Sequence, residues 1–140
     1  MAKVMVPRKT DFGLMMIAMS VGCFIVYLGG ALLDVRVELY YGLATFNWAW
    51  GLQIYLIPFI AGIAVGFIYG YGGKWMAHFP PLLVLLIDYW DSQFFSGVAE
   101  GYSLMPMGWW SFFVILAMEF CAFGGVIGEL LNKRLGYRRF

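Results

Sequence analysis

Glu119 stands alone in the middle of an apolar run, with Ser111 to Met118 before it almost entirely nonpolar. An ionised carboxylate in hydrocarbon costs several kcal/mol. The group must therefore be protonated, paired or turned toward a wet cavity: a neutral, hydrogen-bonded structural Glu is the first reading, and an ion- or proton-handling Glu or a cross-subunit pair the others. No basic residue of the chain is expected at its depth. Its internal hydrogen-bonding options are Ser20, Gln53 and Tyr55, and otherwise its partner comes from another subunit. Asp88 is a second candidate for an ion or proton site. With Asp91 three residues on and Glu100 farther along, it makes one side of the molecule acidic, the usual look of a solvated loop and also a means of concentrating cations.

Other chemistries find little support. His78 is the only histidine. Bis-histidine haem and multi-histidine zinc or copper sites are thus beyond this chain alone, and an interfacial position beside Lys74 is expected for it. Met15, Met19 and Cys23 form a soft stripe that suits Cu(I), but no Met-rich outer segment accompanies them and methionine is a common packing residue. There is no phosphate-binding glycine loop, no Cys-x-x-Cys and no Ser-His-Asp set in a usable arrangement, so a non-catalytic chain without metal or cofactor is expected, bound lipids aside. The cysteines, Cys23 and Cys121, both lie in apolar runs and read as buried thiols.

Small residues supply the firmest local motif. Gly62, Gly66 and Gly70 share one helical stripe, and Ala117, Cys121 and Gly125 form another. Such stripes let backbones approach closely in lipid, where packing rather than water exclusion drives helix association. Packing inside the chain's own bundle and docking of a partner helix both use them. Gly62 and Gly66 also match Gly124 and Gly128 at one constant spacing of 62 residues. Duplication of a helical hairpin leaves that trace, and chance in glycine-rich helices does so too.

The elements that carry these residues are membrane spans. Apolar residues make up 63% of the 140, aromatics 20% and charged residues 12%, which leaves no polar shell for a globule in water. Lipid or partner protein must cover the rest. Four helices are expected, at about 12–33, 51–71, 75–91 and 108–131. Pro58 is tolerated inside the second because neighbouring helices satisfy the freed carbonyl. The third has two possible registers. Starting near Trp75, it keeps Asp88 and Asp91 near water; starting at Pro80, with proline in the first turn, it carries Asp88 toward mid-membrane. The cost of buried charge favours the first.

Orientation follows from the cations. Lys3, Arg8 and Lys9 precede the first run, Lys74 lies between the second and third, and Lys133, Arg134, Arg138 and Arg139 follow the last, leaving Arg36 as the exception. Alternate gaps are thus basic, as expected of an all-α membrane protein with four transmembrane helices, both termini cytoplasmic and two aromatic-rich outer loops in a prokaryotic plasma membrane. Glu129, four residues before Lys133, has the spacing of a surface ion pair. A net charge of +1, split among short segments, excludes a nucleic-acid partner. The expected partners are lipids, other integral membrane subunits or copies of the chain itself. The leading functional reading is a small accessory or scaffolding subunit docking partner helices through its glycine faces; the alternative is a homo-oligomeric transporter or channel using Glu119.

Overall fold

The computed structural model describes residues 12–40, 42, 45–70, 72–98 and 100–135. Its elements, in order, are α1 (Phe12–Leu33), β1 (Leu39–Tyr40), α2 (Trp48–Ile54), α3 (Leu56–Tyr69), α4 (Gly73–Met76), α5 (Phe79–Phe94), β2 (Ser103–Leu104) and α6 (Met107–Leu135). It is an all-α protein whose two short strands pair antiparallel, Leu39 opposite Leu104, and so tie together the loops that follow α1 and α5. Three stretches are long and apolar enough to cross a bilayer: Phe12–Leu33, Trp48–Tyr69 and Met107–Arg134. The terminal cations Lys3, Arg8, Lys9, Arg138 and Arg139 lie outside the described residues.

Two departures from the sequence expectation have local causes. The second helix starts at Trp48 rather than near 51, where Asn47 caps it by accepting from the Trp50 amide at 3.0 Å, and it breaks at Tyr55 into α2 and α3. Pro58 explains the break, because it donates nothing to the carbonyl of Ile54 and its ring crowds that oxygen. The third helix starts at Phe79, not Trp75, and ends at Phe94, not 91. Pro80 and Pro81 sit in its first turn, where no amide donor is required, so the register with proline at the start prevails. At 16 residues α5 extends ~24 Å, short of the ~30 Å of hydrocarbon.

The centre of the molecule is the seam between α3 and α6, which run side by side in the same direction. A Cβ on Gly62 would lie 1.8 Å from the Cys121 carbonyl oxygen, and one on Gly66 would lie 2.2 Å from that of Gly125. From the other side, a Cβ on Gly124 would meet the Phe59 oxygen at 2.1 Å and one on Gly128 the Ile63 oxygen at 2.3 Å. The seam is its own mirror under a shift of 62 residues: exchanging Gly62 for Gly124 exchanges Cys121 for Phe59 and Gly125 for Ile63. Backbone meets backbone along two turns of each helix. α1 packs on α3 with Gly22 against Val65 and Pro80, and α4 lies on α6 with Gly125 beneath Lys74.

At the end of α1 the chain turns sharply. Asp34 takes a left-handed conformation, φ 53°, and the Val35 amide returns to the Gly30 carbonyl at 3.0 Å. This six-to-one closure ends the helix and sends Val35 to Leu39 across the bundle. Val37 points into an apolar cluster with Trp50, Leu85, Trp110 and Phe113, and Leu39 is buried as well. Trp50 and Trp110 are therefore core residues, with the Trp50 ring edge-on to Phe113 at 4.6 Å. Trp48 and Trp109 stay exposed.

Candidate functional site

The predicted small-residue stripes point inward. Gly62, Gly66, Cys121 and Gly125 are consumed by the seam, Ala117 is buried in the core, and Gly70 ends α3 with φ 79° and its amide on Gly66. None of the six offers a free surface.

Glu119 points the other way. It lies ~18 Å along α6 from Met107, and its side chain is 58% exposed. It shares that stripe with Phe112, Ile115, Phe123, Val126 and Leu130, all exposed. Two sequence expectations are corrected here. Ser20, Gln53 and Tyr55 do not serve Glu119: Gln53 bonds Val26, and the Tyr55 ring stacks edge-on to Phe120. Nor is a basic group absent from its depth, because His78 Nε2 stands 4.0 Å from Glu119 Oε1. The late start of α5 explains this, since α4 and its C-terminal turn lie along α6 before α5 begins and bring His78 beside Glu119. The Trp75 carbonyl sits 3.2 Å from His78 Nδ1 and can only accept, so Nδ1 carries the hydrogen and Nε2 faces the carboxyl. Lys74, Trp75, His78, Glu119 and Phe123 line a shallow cavity of about 250 Å³. Glu129 makes no ion pair with Lys133; its Oε1 accepts the Lys74 amide at 2.7 Å and caps the start of α4.

A second polar assembly sits at the end of the bundle where α1 stops. Arg36 Nε donates to Glu38 Oε1 at 2.9 Å, an Arg36 terminal nitrogen donates to Ser92 Oγ at 2.5 Å, and Ser92 Oγ donates to the same Glu38 oxygen at 2.9 Å. The triangle closes around a carboxylate that is 1% exposed. Glu38 Oε2 is buried and finds no partner among the described residues. Beside this triangle opens a cavity of about 330 Å³ lined by Asp34, Arg36, Gln53, Leu85, Asp88 and Asp91. Asp88 is half-buried there, within the field of Glu38, Arg36 and Asp91. Asp91 accepts from Ser96 Oγ at 2.6 Å, and Glu100 is exposed and does not line the cavity.

Sequence reasoning missed Glu38, Ser92 and the cavity role of Gln53. One signal pointed to them: Arg36 is the single cation outside the basic gaps, and an isolated arginine among apolar residues needs an acid nearby. Among the described residues no group of three histidine, cysteine or acidic side chains is placed to hold a metal ion. No protein-family model, curated protein or solved structure matches the chain.

Proposed function

We propose that the chain is a small accessory or scaffolding subunit of a larger integral membrane complex, seated against a partner's transmembrane helix through the α6 stripe that carries Glu119. One observation carries this reading: a carboxyl in the middle of an otherwise apolar, outward-facing stripe. Lipid tails offer it no donor, and His78 at 4.0 Å is beyond hydrogen-bonding distance. A partner helix that presents a hydrogen-bond donor or a cation at this depth satisfies it, while Phe112, Ile115 and Phe123 supply packing on either side. The glycines, expected to dock partners, serve the inside of the bundle instead, so recognition falls to this face.

The same reading takes the chain across the bilayer four times with both ends cytoplasmic. Parallel α3 and α6 support it, because the chain must return to the starting side between them, and α4 and α5 make that return. Lys133 and Arg134 at the end of α6, with Lys74 near the turn, fit a cytoplasmic end.

The test is gentle extraction followed by comparison of Glu119→Leu with Glu119→Gln. Leucine removes the hydrogen-bonding group and is expected to release the co-purifying polypeptides; glutamine keeps donor and acceptor and is expected to hold them. Equal retention by both variants defeats the proposal. The same exposed acid also favours a second reading, a homo-oligomer in which Glu119 lines a path for ions or small solutes between copies. That reading requires flux in reconstituted vesicles to fall with Glu119→Gln, and undiminished flux removes it.

A further inference from the structure

His78 has committed one ring nitrogen and turns the other toward Glu119. The Trp75 carbonyl, 3.2 Å from Nδ1, only accepts, so in the neutral ring Nδ1 carries the hydrogen and Nε2 meets the carboxyl as a lone pair. The ring is also stacked on that of Trp75, with centroids 6.1 Å apart and planes 21° apart, which fixes the edge it presents. Nε2 and Glu119 Oε1 are then two acceptors facing each other across 4.0 Å, a gap that no hydrogen bond spans. Both side chains are accessible, 27% exposed for His78 and 58% for Glu119, and both line the same shallow cavity. Ala122, the next lining residue along α6, is too short to pin the carboxyl.

One added proton reverses the relation. Whether it sits on Nε2 or on the carboxyl, one atom becomes a donor while the other still accepts, and closing the 4.0 Å gap to the ~2.8 Å of a charge-assisted bond takes a movement of only ~1.2 Å. Few other charges surround the pair. Among the described residues, α4 brings Lys74, whose ammonium lies 5.6 Å over the Trp75 ring, and α6 brings Glu129, which holds the Lys74 amide. Of side chains that titrate, α1 has only Cys23 and Tyr27, α3 only Tyr69, and α5 none as far as Ile87.

We propose that His78 is a proton-operated latch on the Glu119 docking site. Without the extra proton the carboxyl is left to the partner helix; with it, His78 and Glu119 close on each other and the partner loses its contact. The undocked subunit thus holds one proton more than the docked one, so acid favours release. This rests on the docking reading above and adds that the complex loosens as pH falls through the range in which histidines take up protons.

The experiment is affinity purification of the full chain in mild detergent near pH 8, then washing at about pH 8 or about pH 5.5, with the co-purifying polypeptides quantified. Wild type should retain about tenfold less partner after the acid wash, the effect of one charge-assisted contact. His78→Phe keeps a ring on Trp75 but takes no proton, and should retain its partner equally in both washes. Glu119→Gln offers no negative charge to a protonated ring and should lose clearly less in acid than wild type; should His78→Phe fail to fold, this variant decides alone. Absence of any co-purifying polypeptide, or full retention by Glu119→Leu near pH 8, would remove the docking reading and the latch with it. Release by Glu119→Leu near pH 8, together with wild-type retention that ignores pH or with undiminished acid release in His78→Phe or Glu119→Gln, would overturn the latch alone and leave the docking site standing.

Discussion

The α3–α6 seam and the polar end of the bundle solve opposite problems with opposite means. Along the seam, glycines bring two backbones together with no side chain between them, and at its end Asn132 of α6 donates to the Phe67 carbonyl of α3 and keeps one buried amide oxygen unmatched among the described residues. At the polar end, Arg36, Glu38 and Ser92 close a triangle of hydrogen bonds, yet Glu38 Oε2 and Gln53 Oε1 remain unmatched among the described residues. The contrast separates what holds the fold from what is available for work. The glycine seam leaves no space between its backbones, whereas the polar end keeps a cavity.

The largest expected effect breaks the seam. Gly66→Leu must displace the Gly125 backbone, and loss of folded protein, a destabilisation of about 4 kcal/mol or more, is expected in thermal unfolding followed by thiol labelling or size exclusion. The mirror relation sharpens this: Gly62→Ala and Gly124→Ala meet equivalent carbonyls at 1.8 and 2.1 Å, so their melting temperatures should fall by similar amounts. Unequal losses would show that the symmetry is one of shape and not of energy.

At the polar end, Arg36→Met strips the buried Glu38 carboxylate of its charged partner and should cost about 2–3 kcal/mol, measured by denaturant unfolding in mixed micelles. The hairpin between α1 and β1 gives a smaller change. Asp34 pays a conformational strain at φ 53° that glycine does not, so Asp34→Gly should leave stability within about 1 kcal/mol, with the sign set by how far backbone relief outweighs the added freedom of the unfolded chain. Smallest of all, Glu119→Gln should leave the melting temperature of the isolated protein nearly unchanged, because its side chain is outside both regions and makes no hydrogen bond within 3.5 Å among the described residues.

Much of the scaffold was legible in the sequence because hydrophobic length is a coarse, robust signal. The first helix, 12–33, is read directly from its uninterrupted apolar run, and Glu119 stands out because a carboxylate inside such a run is rare. The third helix begins at Phe79 rather than the expected Trp75, because two signals conflict in the sequence: the cost of charge near Asp88 favours an early start and the two prolines a late one. The structure resolves the tension differently, giving Asp88 a cavity to face. Composition does not tell which side of a helix an indole occupies, so the burial of Trp50 and Trp110 beside exposed Trp48 and Trp109 is not legible in the sequence. Glycine spacing announced close packing but not its partner. Glu38 was hidden among alternating residues, since its role depends on Ser92, which lies more than fifty positions away and is brought to it by tertiary packing alone.

The repeat along the seam leaves its most telling mark where it fails. The counterpart of Glu119 in the other half is Ile57, and that of Gln53 is Ile115. Two identical hairpins meeting in parallel would have to carry both polar residues or neither. Within one chain the two stretches need not match, so the Glu119 carboxyl faces outward on α6 and the Gln53 amide faces inward on α2. A seam that matches in its glycines thus differs in the polar residues it carries.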